Sequence, residues 1–150
     1  MDIKEFALGY RHRQYPRMPG LMKEIFYTDV SASMLVWSED CYLVEFYLMF
    51  PHSIVNPHSH PFYNLIVFNS GQLSGARDTN PNMVTLTDND HGRIGNVLSP
   101  GEQHWFQTGP KGASFYNVSS WNNPQEQTSA TLKYQGLPLG PIHARILSQI

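Results

Sequence analysis

The sequence predicts an all-β fold, a small barrel or sandwich, and three observations carry that expectation. About eight short runs rich in β-branched and aromatic residues follow one another from Ser33 to Ser119, the strand density of such folds. Eleven glycines and eleven prolines are spread between the runs as turn punctuation. Two histidines two apart, His58 and His60, stand on one extended segment, and a third, His104, follows in a later turn-then-strand signal. Side chains at i and i+2 of a strand share a face, so the pair points one way.

Taken in order, residues 1–30 form an N-terminal arm in which Asp2 to Leu8 reads as a short helical turn. Arg11, His12, Arg13 and Arg17 gather around Tyr10 and Tyr15. The two readings are a solvated arm covering an open sheet edge and an anion or partner contact. Met34 to Trp37 is the first strand, closed by Ser38-Glu39-Asp40. Tyr42 to Phe50 is the strongest, rich in aromatic and β-branched residues, and Pro51-His52-Ser53 breaks it. Asn56 to His60 leads into Asn64 to Phe68, and Asn69-Ser70-Gly71 is a turn. Gln72 to Arg77 and Met83 to Thr87 are strands separated by the loop Asp78 to Asn82. Asp88 to Gly92 turns again, and Arg93 to Leu98, Gln103 to Gln107 and Ala113 to Ser119 complete the set, with the Gly109 to Gly112 tetrapeptide between the last two.

After Trp121 the character changes, and residues 122–150 form a C-terminal extension. Asn122 to Gln127 reads as a polar loop and Thr131 to Tyr134 as an added strand. Leu137 to Pro141 is incompatible with a sheet interior. Ile142 to Ile150 fits a short helix or an edge strand equally.

At 150 residues the chain is expected to be one domain with a real core. Hydrophobic residues make up 41% and charged residues only 15%, below the usual share of about 25%. A formal net charge of −2 argues against nucleic-acid binding through a basic surface. So little charge leaves surface available for self-association. The lone cysteine, Cys41, allows no intrachain disulfide and reads as a small core residue. No signal peptide is visible, and the longest apolar-rich run, Cys41 to Phe50, contains Glu45 and is too short to span a bilayer. The expectation is a cytoplasmic protein without membrane contact.

The histidines are the chemical signal. Divalent transition metals take neutral imidazole readily, and His58, His60 and His104 would form a facial triad from neighbouring strands. Pro57, Pro61, Pro100 and Gly101 fix the turns that position them. The alternative is three barrel-interior histidines bonded to one another or to water. His52 and His91, at a strand end and in a turn, are expected in solvent. Gly-rich phosphate loops, a Gly-x-Ser-x-Gly elbow and an assembled hydrolase triad are absent from the sequence.

From His52 to Gly71 the chain resembles the first conserved motif of the cupin superfamily: Gly, five residues, His-x-His, three or four residues, Glu, six residues, Gly. His52 stands at the first glycine, His58 and His60 are the paired histidines, Asn64 stands where the Glu is expected, and Gly71 is in register. Ser99-Pro100-Gly101-Glu102-Gln103-His104 resembles the second motif, with Ser99 at its proline and Thr108 at its Asn. Its upstream glycine, Gly92 or Gly95, is out of register by one or two. The resemblance spans residues 40–120. It implies a double-stranded β-helix, or jelly-roll, barrel with a divalent metal on His58, His60 and His104.

Asn64 departs from that pattern, and three outcomes follow. The site is a three-histidine centre with open positions, similar to the cupin-type thiol and diketone dioxygenases; or Asn64 is a weak ligand or hydrogen-bond partner near the metal; or the pocket has lost metal and binds a small molecule. If the barrel holds, alternation sends Asn64, Ile66 and Phe68 to the histidine face, with Phe106 and Thr108 beside His104. From the opposing strand come Phe46 and Leu48 or, in the other phase, Tyr47 and Met49. Arg77 is the candidate cation for a substrate carboxylate, against the reading of a surface arginine at a strand end. Tyr63, Trp105 and Tyr116 are pocket aromatics or ordinary core.

The resulting expectation is a mononuclear non-haem Fe(II) dioxygenase for a small organic substrate, with nickel, manganese or zinc as other metals. The alternatives are a non-enzymatic binding or structural cupin, and a metal-independent enzyme similar to the sugar-nucleotide isomerases.

Overall fold

A computed structural model describes residues 2–13 and 25–134. The Tyr15–Arg17 part of the basic cluster and the readings on Leu137 to Ile150 lie outside the described residues. Helix α1 (Ile3–Arg13) precedes seven strands: β1 (Phe26–Tyr27), β2 (Ser31–Glu39), β3 (Tyr42–Met49), β4 (Ile54–His58), β5 (Tyr63–Arg77), β6 (Asn80–Leu86) and β7 (His104–Ser120). Helix α2 (Pro124–Ala130) and a 3-10 turn, Thr131–Tyr134, follow. All pairings are antiparallel, in the order β1-β2-β3-β7-β5-β6, and β4 pairs with the first part of β7.

β5 and β7 organise the fold. They run side by side from Tyr63↔Ser120 to Arg77↔His104, with irregular register between Phe68 and Ser70 and between Gly71 and Leu73. The expected turn at Asn69-Ser70-Gly71 and the break at Gly109 to Gly112 are therefore bends inside two long strands. Gly71 (φ +92°) and Gly112 (φ +71°) sit where the strands cross closely. A Cβ on Gly71 would lie 2.2 Å from the Gly112 carbonyl oxygen, and one on Gly112 would lie 2.3 Å from that of Met49. Only glycine meets both the left-handed backbone and the approach. The bend lets β7 pair with β3 through Ala113–Ser120 and with β4 through its histidine end.

Three further expectations are corrected. Arg93 to Leu98 forms no ladder and touches β5 through two isolated bridges, Asn64↔Leu98 and Val67↔Ile94. Asn122 to Gln127 is not wholly looped: Asn123 accepts the backbone N–H of Glu126 at 2.8 Å, Pro124 follows as the first helical residue, and α2 forms. Thr131 to Tyr134 is a 3-10 turn instead of a strand.

β3 is buried on both faces, which is why its sequence is almost continuously apolar. Val44, Phe46 and Leu48 pack outward beneath Ile3, Phe6 and Ala7 of α1, and Phe6 stacks on Tyr42 at 4.3 Å. Leu43, Glu45, Tyr47 and Met49 face an interior cavity. Of the two phases open to β3, the second holds. Met49, Phe68, Leu73, Leu86 and Phe115 close the floor of the barrel. Among the described residues no helix is long and apolar enough to cross a membrane.

Candidate metal centre

His58 ends β4, and its Cα partner across the ladder is His104, the first residue of β7, whose other neighbour is Arg77 of β5. His60 follows in the connection to β5. Adjacent strands thus bring together what the sequence holds far apart. A set of nitrogen atoms, one from each of the three histidines, lies mutually within 4.8 Å. The ring centroids are 4.3 to 5.0 Å apart.

Two of the rings are oriented by the backbone. His58 donates from Nδ1 to the Asn56 carbonyl at 2.8 Å, and His104 from Nδ1 to the Glu102 carbonyl at 3.0 Å. Each bond fixes the tautomer and leaves the Nε2 lone pair for a ligand. His60 lies flat against Phe62 at 4.8 Å. Burial, followed by the neighbouring His104, His58 and Lys133, lowers its pKa to about 4. Burial also lowers that of His104. These two imidazoles are neutral at pH 7, the state a metal requires. Three convergent imidazole nitrogens fit a divalent transition ion.

Asn64 is buried on the cavity wall. Its amide nitrogen donates to Asn117 Oδ1 at 2.8 Å, to the Val118 carbonyl at 3.1 Å and to Ser119 Oγ at 3.3 Å. That leaves Oδ1 as the atom it can present. Arg77 also reaches the cavity wall. Its Nε and Nη2 grip both oxygens of Glu102 at 2.6 and 2.7 Å, and Nη2 also bonds the Val97 carbonyl at 2.7 Å. The Arg77 bonds, against an opposing effect of burial, hold the Glu102 carboxyl down at about 2. Glu102 in turn accepts from Thr79 Oγ1 and the Ser99 backbone. Arg77 therefore braces the turn whose carbonyl orients His104.

The cavity has a volume of about 660 Å³. Ile66, Phe106 and Trp105 line it as well. Thr108 does not: its hydroxyl donates to the Phe50 carbonyl at 2.6 Å and accepts from the Ser53 N–H at 2.9 Å. Phe68 is in the barrel floor, Tyr116 packs edge-on against Phe46 in the core, and Tyr63 is exposed. His52 and His91 are exposed, as expected.

A second polar group on the wall was not singled out from sequence. Glu45 pairs with Lys133 Nζ at 2.8 Å and accepts a short hydrogen bond from the Tyr134 hydroxyl. Tyr134 itself lies 2.9 Å from Ser33 Oγ. Burial pushes the neighbouring Tyr47 hydroxyl up to about 12. The available signal was Glu45 itself, a charge in the most apolar strand, since such residues are rarely buried unpaired. Its partner, arriving from the C-terminal extension, carried none.

No family model matches the sequence, and no curated protein does. Solved structures do resemble the fold. KdgF from a Halomonas species superposes with a TM-score of 0.56 at 10% identity, over 67% of this chain and 89% of that one. An RmlC-like cupin from Shewanella frigidimarina gives 0.57 at 11%, over 71% and 94%. This is the cupin fold. An oxalate decarboxylase variant from Bacillus subtilis gives 0.55 at 13%, over 84% of this chain and 37% of that one. His52, which the resemblance sets at the first glycine of the first motif, takes the left-handed backbone, with φ +55°.

Proposed function

We propose that the chain is a metal-dependent enzyme acting on a small organic molecule, most specifically a mononuclear non-haem Fe(II) dioxygenase. The observation that carries this reading is the convergence of three imidazoles within 4.8 Å, without a carboxylate among them. His58, His60 and His104 would hold the metal. Fe(II) on three neutral ligands would supply Lewis acidity and one-electron chemistry with dioxygen. Nickel, manganese and zinc suit the same ligands.

The chain's own residues do the rest. Phe62 stacks on the His60 ring and Phe106 packs edge-on to that of His58. Asn64, where an acidic ligand is expected, leaves the site with a higher positive charge and offers Oδ1 to a substrate donor. In this reading Arg77 supports the site through Glu102 instead of seizing a substrate carboxylate. A homodimer completes the proposal, since cupin-like barrels commonly pair, and a cytoplasmic setting follows from the lone cysteine, Cys41. The absence of an acid at position 64 also favours a second reading, a non-enzymatic cupin that binds a small molecule, or a metal-independent isomerase-like enzyme using histidine as base.

Oxygen uptake separates these. Protein loaded anaerobically with Fe(II) is offered a panel of thiols, β-diketones and phenolic acids. Uptake that depends on substrate and is lost in His104→Ala is the expected result. No uptake with any member would contradict the dioxygenase and favour the second reading.

A further inference from the structure

We propose that Lys133 is the anchor for a substrate carboxylate, binding an acidic ring-bearing molecule whose far end lies at the histidine cluster. The inference rests on the reading of this cavity as a substrate site and names the class of substrate it takes.

Size comes first. A cavity of about 660 Å³ is in the range that encloses a whole drug-sized ligand, far more than a metal with a two-carbon acid would fill. Its wall then restricts what enters. Tyr47, Phe62, Trp105, Phe106 and Phe115 give aromatic surface suited to a ring.

Among the described residues, three cations border this space: Arg77, Arg93 and Lys133. Arg77 spends Nε and Nη2 on Glu102 and Val97. Arg93 has a side chain 60% exposed and leans to Asp90 at 3.4 Å. Lys133 differs from both. Its ammonium gives one N–H to Glu45 at 2.8 Å and makes a long contact to the Tyr47 hydroxyl at 3.5 Å. Among the described residues its third N–H has no partner. Rings of Phe26 and Tyr134 lie 5.4 and 5.2 Å from it, which favours a cation in that place. Glu45 also lines the cavity, and its charge is offset by Lys133 and the Tyr134 hydroxyl, both of which meet Oε2.

Lys133 is also held in position, unlike an ordinary surface lysine. Gln127 of α2 donates to the Tyr42 carbonyl at 2.8 Å and to Ser38 Oγ, and Tyr134 reaches Ser33. These bonds pin the segment to β2 and β3 on either side of the lysine. A preset ammonium loses little freedom on binding, which is the condition for a useful charge-assisted hydrogen bond.

The test uses 3-phenylpropanoate and its neutral relative 3-phenylpropanamide, titrated calorimetrically into metal-stripped wild-type protein at about pH 8, where imidazole is neutral. The carboxylate is expected to bind with a Kd of about 1 mM and about tenfold more tightly than the amide. That preference should vanish in Lys133→Met and in the Glu45→Gln/Lys133→Met double variant, which removes the cation without stranding a buried anion. Equal binding of the two compounds by wild type, binding of neither, or a preference kept by the folded double variant would overturn the proposal. Wild type alone can deliver the first two results. Cobalt(II) titration, read from its visible absorption, tests the histidine centre separately. Cobalt bound without carboxylate preference overturns the Lys133 anchor alone, whereas preference without cobalt overturns the metal reading alone.

Discussion

At position 52 the backbone enters the left-handed region with φ +55°, on an exposed histidine that follows β3. Such a conformation costs a non-glycine residue about 1–2 kcal/mol, while glycine gives part of that back in unfolded-state entropy. His52→Gly is therefore expected to leave stability unchanged or raise it by up to about 1 kcal/mol, measured by urea denaturation; a loss of stability would contradict this account of the position. Arg77 is the second residue whose role is geometric. With its grip on Glu102 removed, the carbonyl that orients His104 is less fixed. Arg77→Met is expected to weaken cobalt(II) binding by about tenfold, in a competitive chelator titration, and unchanged affinity would remove the bracing role. The three histidines were legible because the His-x-His spacing and the Pro-Gly turn before His104 are local signals. Lys133 was not, because its partner Glu45 lies in another element and nothing in either local sequence joins them.

Among the elements, β5 and β7 explain where pattern reading worked and where it stopped. The strand runs Asn64 to Phe68, Gln72 to Arg77 and Ala113 to Ser119 are all strand in the structure, and Gln103 to Gln107 is strand from His104 onward. Glycine marks a tight turn or a bend in a long strand with the same letters, so the joins at Gly71 and Gly112 were invisible as continuous strand. Gly112→Ala tests the bend: its Cβ would meet the Met49 carbonyl at 2.3 Å from a φ of +71°. A loss of about 2 kcal/mol or more is expected in urea denaturation, and an undiminished midpoint would show that the crossing has slack. Residues 93–98 read as a strand because Ile94, Val97 and Leu98 stand between two turn signals. They do lie against β5, yet only two bridges form. α2 was missed because its N-terminal signal, Asn123-Pro124, reads equally as a turn.

For the molecule as a whole, the barrel was legible and the site was legible as a histidine cluster, while the cavity's second polar wall depended on a segment folding back over β2 and β3. The desolvation of His60 has a stability consequence. His60 titrates at about 4 in the fold against 6.5 when free, so the unfolded chain binds the extra proton first as pH falls. Its contribution is fully present above 6.5 and is lost as pH drops towards about 4. Metal-stripped protein is expected to lose stability as pH falls from 6.5 to about 4, and His60→Ala to flatten that slope; an equal slope in both would place the titration elsewhere.

The central claim, that His58, His60 and His104 hold a divalent metal, is tested most directly by the metal content of untagged protein purified without chelator, beside a His58→Ala/His104→Ala double variant. Near-stoichiometric iron, nickel, manganese or zinc in the wild type and its loss in the folded double variant is the predicted result. No metal in either, even after anaerobic loading with Fe(II), would contradict it.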